Sequence, residues 1–210
     1  MDDQQLHPVS APTAVKIIEA ATHLFMQRGY KAVSISDIIK AADVTKPTLY
    51  YYFADKEELF VQMGLTLMET MGTQLREAAS GVSSAERLTV IAGVLLAERD
   101  GDMRLMRHEM FEHVGPANRE LLSRAFYSSL FAPIHAVMVQ GLAAGDLARY
   151  PAETLTAMFL GLSESFHEFG QQARLAQWAI GTVGPFANTS LNAQTMVDLF
   201  LHGVTPQPVL

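Results

Sequence analysis

The sequence predicts an all-α protein of about nine helices, in which a three-helix head at the N-terminus precedes a larger helical bundle. Apolar residues recur every three to four positions along most of the 210-residue chain. No stretch shows the alternating pattern of a half-buried strand. Turn-forming residues such as Gly29, Gly145 and Pro151 separate the periodic segments. The length fits one domain of moderate size, or a small domain joined to a larger one.

Composition narrows the classes of protein that the chain can be. Apolar residues make up 49% of the sequence and charged residues 18%, with a mean hydropathy of +0.14. A large core would use part of this apolar surplus, and an oligomer interface or an apolar ligand pocket could use the rest. The chain has no cysteine, which excludes disulfides and thiol chemistry.

The first residues give no sign of export or membrane insertion. No apolar run approaches the roughly 18 residues that a membrane-spanning helix needs. Residues 1–12 lack the apolar segment of a signal peptide. They contain two prolines and no apolar period, so we expect a disordered arm there. We expect a cytoplasmic protein without a membrane partner.

Charge is distributed unevenly along the chain. The net charge of −7 argues against general affinity for nucleic acid. Residues 13–53 carry five basic and three acidic side chains, whereas residues 54–210 carry ten basic and 17 acidic ones. A mildly basic head therefore precedes an acidic body, and contact with phosphates would fall to the head.

The head begins with two helix signals. Thr13 is a plausible N-cap for a first helix, which Gly29 would end. Ser34 and Asp37 have the spacing of a capping box at the start of a short second helix.

Two more helix starts follow a turn at Asp43. Thr45 is placed to cap a short helix, with Pro47 in the first turn, where a missing N–H costs nothing. Asp55 and Glu58 form a second capping box at the start of a long helix. Two short helices separated by a three-residue turn predict a helix-turn-helix.

The rest of the chain predicts further helices. Pro133 lies inside the longest apolar segment and should kink or split its helix. We expect a Gly/Pro linker over residues 181–188 and helices over residues 84–99, 102–113, 117–144, from 151 onward and 191–202.

Residues 45–53 read TKPTLYYYF and cannot form a core helix. Three consecutive tyrosines point in three directions around a helix, so they cannot all be buried. Leu49 and Phe53 are four residues apart and face inward, which leaves hydroxyls and a lysine facing outward. Spacing alone leaves two interpretations open, a DNA-contacting helix and a small helical domain with surface tyrosines.

These residues resemble the N-terminal domain of TetR-family transcriptional repressors. The resemblance covers about residues 13–60. It rests on Gly29-Tyr30, on SISDI at 34–38, on ADVTKPTLYYYF at 42–53 and on DKEEL at 55–59. Asp43 departs from the family, which often has Gly in this turn, but Asp tolerates left-handed conformations. Pro47 replaces a common Gly or Ala.

A TetR-like head implies a DNA interface. The third helix would enter the major groove, and two heads would bind half-sites about 34–36 Å apart. Hydroxyls and lysines would contact phosphates and base edges. The candidate DNA contacts are Ser34, Ser36, Thr45, Lys46, Pro47, Thr48, Tyr50, Tyr51, Tyr52 and Lys56.

The resemblance also implies the roles of the domains. Residues 13–54 would bind DNA, and residues 55–210 would bind an effector and dimerise. A small apolar effector would tilt the long helix that starts at Asp55 and release a homodimeric repressor from a pseudo-palindromic operator. The candidate pocket residues are Met63, Leu67, Met103, Met106, His108, Phe111, Tyr127, Phe131, His135, Phe159 and His167.

The last two long helices are more apolar than packing within a single subunit requires. A two-fold interface of four helices would bury this surface, although ordinary packing within one chain is the alternative. The candidate interface residues are Leu155, Phe159, Leu162, Phe166, Met196, Leu199 and Phe200.

A cluster of His108, Glu109, Glu112 and His113 leaves a second class of function open. Each His is four residues from a Glu. The zinc-protease motif that starts at His108 would need a second His at position 112, and the inverted motif that ends at His113 would need a His at position 109, but both positions are Glu. An all-helical metalloprotein or enzyme that uses this cluster is one alternative, and a regulator controlled by a protein partner is another. We find no nucleophile–base pair, phosphate loop or nicotinamide fingerprint, and therefore expect no enzyme, no cofactor and no bound metal.

Overall fold

A computed structural model describes residues 10–78, 83–97, 108–110, 112–147, 150–180 and 191–203, with side chains described except at 171–180. No strand occurs among these residues, so the predicted all-α class is confirmed there. The predicted linker at 181–188, nearly all of the predicted arm at 1–12, and Met103, Met106 and Phe111 lie outside the described residues.

Nine α-helices are present in the described part of the chain, and short helical segments also occur at residues 108–110 and 112–113. A π-helical turn, Tyr127–Phe131, joins α6 to α7. The helices are α1 (Pro12–Ala32), α2 (Ile35–Ala42), α3 (Lys46–Tyr52), α4 (Lys56–Ala78), α5 (Ser84–Leu96), α6 (Pro116–Phe126), α7 (Ala132–Ala144), α8 (Ala152–Ile180) and α9 (Ala193–His202).

The chain divides into two compact units. The first comprises Met1–Glu69 and Arg99–Phe126, and the second comprises Thr70–Glu98 and Tyr127–Leu210. The first part of α4 and all of α6 thus belong to the same unit as the head. The predicted boundary after residue 54 concerned DNA-binding and effector-binding roles, and it stays a prediction.

In the first unit, α1 differs from the prediction at its start. It begins at Pro12, and Ala11 precedes it without a side-chain cap, so the prediction of Thr13 as the N-cap is wrong. Proline suits this position because its fixed φ is already helical and its missing N–H would be unpaired in any case. Gly29 breaks the helical conformation with φ 77°, as predicted, and a further turn then leads to Ala32.

The predicted helix-turn-helix caps are confirmed. Ser34 and Asp37 form a reciprocal capping box at α2. Asp43 ends α2 in the left-handed conformation, with φ 49°, which Asp tolerates better than most residues. The Thr45 side chain accepts a hydrogen bond from the Thr48 N–H at the start of α3.

At α4, one of the two hydrogen bonds of the predicted capping box forms, and the other goes to the preceding residue. Asp55 accepts a hydrogen bond from the Glu58 N–H at 2.8 Å, as predicted. The Glu58 carboxylate, however, reaches past Asp55 and accepts from the Ala54 N–H at 2.6 Å. The Glu58 N–H is one of the groups that the first helical turn leaves unpaired, whereas Ala54 precedes the helix.

In the second unit, the predicted break at Pro133 is confirmed. Pro133 lies in the first turn of α7 and cannot donate a hydrogen bond to the preceding turn. The chain accommodates this loss in the π-helical turn before α7. The Ser84 hydroxyl at the start of α5 donates to the Asp146 carboxylate at 2.7 Å, just after Gly145 ends α7 with φ 81°.

One stretch of the described residues, Pro116–Ala144, is long and apolar enough to cross a membrane by length and composition alone. Core helices of soluble proteins meet the same criterion. Here the stretch comprises two α-helices with the π-helical turn between them.

We expect two glycine substitutions to change stability in opposite directions. A Cβ at Gly72 would lie 2.8 Å from the Ser129 carbonyl oxygen, whereas a Cβ at Gly93 would meet nothing within 4 Å. Gly72→Ala should lower the free energy of unfolding by about 1–2 kcal/mol, because the backbone of the π-helical turn must shift. Gly93→Ala should raise it by up to about 1 kcal/mol through helix propensity. Urea denaturation of both variants measures this, and equal effects would contradict the close contact at Gly72.

Candidate nucleic-acid interface

Helix α3 separates cleanly into a buried and an exposed face. Leu49 and Phe53 are 0% exposed and fix its inner side. Tyr50 is 43% and Tyr51 55% exposed on the outer side, and Tyr52 is half-buried. The predicted division of residues 45–53 into anchors and outward-facing side chains is therefore what the structure shows.

The polar groups of the exposed face are arranged by local contacts. The hydroxyl oxygens of Thr45 and Thr48 lie 2.7 Å apart in a hydrogen bond. The Lys46 ammonium lies 5.9 Å from the Tyr50 ring centroid, and the Tyr51 and Tyr52 rings pack edge to face at 5.0 Å. Exposed Pro47 sits in the first turn. The surface thus offers aromatic rings, hydroxyls and one cation within two helical turns.

At the start of α2, local hydrogen bonds engage Ser34, one of the predicted phosphate contacts. The Ser34 hydroxyl donates to the Asp37 carboxylate at 2.6 Å, and the Ser34 N–H donates to the same oxygen at 2.9 Å. These bonds, with nearby Arg28, hold the pKa of Asp37 below its ordinary value. Both Ser34 donors are thus bonded to Asp37 in this structure, and a contact of Ser34 with a phosphate stays a prediction. Ser36 is exposed and stays a prediction.

Lys56, the first residue of α4, contacts an aromatic ring. Its ammonium lies 4.1 Å from the centroid of Tyr30. Partial burial lowers the pKa of Lys56, and the carboxylate of Glu109 opposes that shift. Sequence reasoning noted Tyr30 as part of a motif but gave it no role. Only the three-dimensional contact identifies it, because Lys56 lies 26 positions later in the chain.

Glu57 ties the first turn of α4 to the segment before α6. Its Oε1 accepts hydrogen bonds from the Gly115 N–H at 2.8 Å and the Asn118 side-chain amide at 2.7 Å. These bonds hold the pKa of Glu57 below its ordinary value of 4.5. Sequence reasoning missed this role, since the spacing of Glu57 from residues 115–118 carries no periodic signal.

The candidate pocket residues fall into both units. In the first unit, Met63 is buried, Leu67 is half-buried and the His108 side chain is 65% exposed. In the second unit, Phe159 is buried and His167 is half-buried. The candidates are therefore divided between the two units, and the pocket that they would line stays a prediction.

Three of the candidate pocket residues form a column of stacked rings in the second unit. The rings of Tyr127 and Phe131 stack at 5.4 Å, and those of Phe131 and His135 at 5.7 Å. Tyr127 is 59% exposed at one end. At the other end the His135 Nε2 lies 3.4 Å from the Glu153 carboxylate. This column stays a predicted part of an effector site.

The His and Glu side chains of the cluster lie close together in the helical segments at 108–110 and 112–113. His108 lies 3.4 Å from Glu112, and His113 lies 3.4 Å from Glu109 and 3.5 Å from Glu112. Among the described residues, no group of three or more His, Asp or Glu side chains is arranged to hold a metal ion. The metalloprotein alternative therefore has no structural support in this part of the chain.

Two of the candidate interface residues are corrected. Phe159 and Met196 are 0% exposed within one chain, and Phe159 packs edge to face against Phe200 at 5.1 Å. They cannot touch a partner subunit directly, because neighbouring helices of the same chain already cover them. Leu155 and Phe166 are also buried, at 7% and 8% exposed, whereas Leu162, Leu199 and Phe200 are half-buried.

We expect the Glu57 hydrogen bonds to make stability depend on pH. A carboxylate with a lowered folded-state pKa stabilises the protein above its unfolded pKa, and this contribution is lost as the pH falls through the folded pKa. Glu57→Gln should lower the free energy of unfolding at pH 7 by roughly 1 kcal/mol and flatten the loss of stability between about pH 5 and 3. Urea midpoints across that range measure it. Glu120→Gln, at an exposed pair with Arg124, is the control, and a similar pH profile for both variants would contradict the assignment.

Comparison with known proteins agrees with this geometry. The family model described as bacterial regulatory proteins, tetR family, matches residues 17–63. The HTH-type transcriptional regulator YhgD of Bacillus subtilis is 45% identical over 62 residues, which cover 30% of this chain and 32% of that protein. The HTH-type transcriptional repressor DhaR of Mycobacterium sp. strain GP1 is 27% identical over 156 residues, covering 71% and 77%.

The likeness to solved structures extends beyond the head. The transcriptional regulator FadR of Bacillus subtilis, solved in complex with stearoyl-CoA, superposes with a TM-score of 0.68 at 16% identity. The match covers 91% of this chain and 99% of that one. The chain thus spans about a third of YhgD but nearly the whole FadR fold. Residues 17–63 of this chain thus match the N-terminal domain of the TetR family of bacterial regulatory proteins, and the similarity to DhaR and to the FadR fold extends over most of the remaining chain.

Proposed function

We propose that the protein is a homodimeric transcriptional repressor that leaves a pseudo-palindromic operator when a small apolar effector binds. The observation that carries the proposal is the outer face of α3. Tyr50 and Tyr51 are exposed there beside Lys46, on a helix whose opposite side is held by fully buried Leu49 and Phe53. DhaR, similar over most of its length, is named as a repressor.

The chemistry of this face suits duplex DNA. The major groove admits a helix, and Tyr and Thr hydroxyls bond phosphates while a Tyr ring packs on a thymine methyl. The head has only two more basic than acidic side chains over residues 13–53. Specific contacts from α3 must therefore contribute more to affinity than bulk electrostatic attraction, which grows with the number of neutralised phosphates.

A second copy of the chain would dock on the outer stripe of α8. Met158 is 52% and Phe169 44% exposed, and half-buried Leu162 lies between them at helical spacing. Exposed Gly161 and Ser165 are small enough for another helix to approach closely. Such a self-complementary stripe suits a two-fold contact. On the same helix, the buried Phe159 packs against Phe200 of its own chain.

The effector proposal rests on composition and on the fold. The chain combines 49% apolar residues with only 18% charged residues, which is compatible with an apolar pocket beside the core. FadR of Bacillus subtilis, which has the same fold, binds stearoyl-CoA in its solved structure. We propose a small apolar molecule as the effector here, with Tyr127, Phe131 and His135 among its contacts. We further propose that the protein acts in the cytoplasm, as a regulator and not as an enzyme.

We expect the double variant Lys46→Ala/Tyr51→Ala to lose specific operator binding. Each subunit would lose a cation and a ring, so affinity of the dimer should fall by about a hundredfold or more. Fluorescence anisotropy measures this with a duplex selected from a random library by the unmodified protein. Tyr150→Ala removes a tyrosine that is 53% exposed in the second unit and should bind normally. Unchanged binding by the double variant would refute the role of α3.

We expect Met158→Glu/Phe169→Glu to convert the dimer to a monomer, because two like charges would meet their copies across the two-fold axis. Sedimentation velocity measures the change. Val90→Glu, at a position that is 53% exposed on α5, is the matched control and should leave the dimer intact. A double variant that still sediments as a dimer would rule out the α8 stripe.

A further inference from the structure

Tyr30 lies at the centre of an aromatic cluster in the first unit. Its ring stacks on Phe25 at 5.7 Å and on His113 at 5.7 Å, and it meets the edge of Phe60 at 5.0 Å. The residue follows the break in α1 at Gly29, whose φ of 77° a side chain would strain. The left-handed turn thus directs the chain so that Tyr30 is held by three rings from separate parts of the sequence.

Lys56 rests on this fixed ring. Its ammonium lies 4.1 Å from the Tyr30 centroid, within the range of a cation–π contact. The contact involves the face of the ring, and the ammonium has further N–H groups that are able to donate. Lys56 begins α4, four residues after the last residue of α3. Its charge therefore has a defined place, at a position that follows α3 closely in the chain.

The relative strengths of two interactions decide what the ring does. A hydrogen bond from an ammonium to a phosphate is charge-assisted and stronger than a cation–π contact at a partly exposed site. The ring therefore cannot withhold Lys56 from a phosphate. It can reduce the rotamer freedom that a long lysine side chain loses on binding.

We propose that Tyr30 is a positioning residue for DNA binding, whose ring holds the Lys56 ammonium ready for a backbone phosphate of the operator. This inference rests on the proposed function, and it adds a residue that does not itself touch DNA. The His113 ring stacks on the Tyr30 ring. Its side chain is 17% exposed and lies between the Tyr30 ring and the carboxylates of Glu109 and Glu112.

Salt dependence of operator binding provides the first test. A lysine that contacts one phosphate contributes about 0.9 to the slope of log affinity against log salt concentration. Lys56→Met should lower the slope of the dimer by about 1.8, one contact for each subunit. The probe is a duplex selected from a random library by the unmodified full-length protein.

A double-mutant cycle then isolates the ring. Tyr30→Leu should weaken binding on the order of tenfold, and it should have no further effect in the Lys56→Met background. A merely structural role of Tyr30 would weaken binding equally in both backgrounds. Tyr30→Phe, which keeps the ring, should bind as the unmodified protein does.

Fluorination removes the concern that Tyr30→Leu disturbs folding. Phenylalanine with one, two or five ring fluorines at position 30 keeps the shape while it progressively weakens the negative face of the ring. Affinity should fall stepwise from Tyr30→Phe across this series, and only when Lys56 is present. A flat series would overturn the positioning role.

The outcomes separate this inference from the proposed function. An unchanged salt slope for Lys56→Met would refute the phosphate contact and the inference with it. A lowered slope with equal effects of Tyr30→Leu in both backgrounds would refute the inference alone. Loss of binding in the α3 variant bears on the proposed function independently of both results.

Discussion

The burial of Leu49 and Phe53 is the constraint on which the head depends. Helix α3 has seven residues, far fewer than the roughly 12–15 that an isolated helix needs to be stable in water. It exists because these two side chains are wholly enclosed and because Thr45 caps its first turn. Once Leu49 and Phe53 are buried, helical geometry places Tyr50 and Tyr51 on the outer side of α3. Surface chemistry at α3 is thus a consequence of packing beneath it.

The same dependence extends to the cation next to α3. The Lys56 ammonium has a definite place only because Tyr30 is fixed by its neighbours, and the first turn of α4 is held in turn by the Glu57 hydrogen bonds to Gly115 and Asn118. The head carries only a small excess of basic side chains. If it binds DNA as proposed, a fixed position for each cation raises the affinity, because a fixed side chain loses less entropy on binding.

Most local signals were predictable from the sequence, although the start of α1 was not, and contacts between distant residues were not predictable. The capping box of α2, the left-handed Asp43 and the break at Pro133 each depend on a few neighbouring residues, so spacing identified them. Ser34 illustrates the limit, because the capping pattern that revealed it also occupies its donors. The sequence marked Tyr30 only as part of the Gly29-Tyr30 motif. Its contacts with Lys56 and His113 were not predictable, since these partners come from other segments.

Helix α8 shows that periodicity alone does not tell which apolar residues pack against helices of the same chain. A stripe of apolar residues can be wide enough to meet two partners, and sequence spacing does not say which side meets which. The structure places Phe159 against Phe200 of the same chain and leaves Met158, one position earlier, 52% exposed. If this outer side joins two subunits as proposed, each weakly charged head acts with a second one, and linking two sites multiplies their affinities without any new contact. The apolar stripe would then be as necessary to operator binding as the tyrosines of α3.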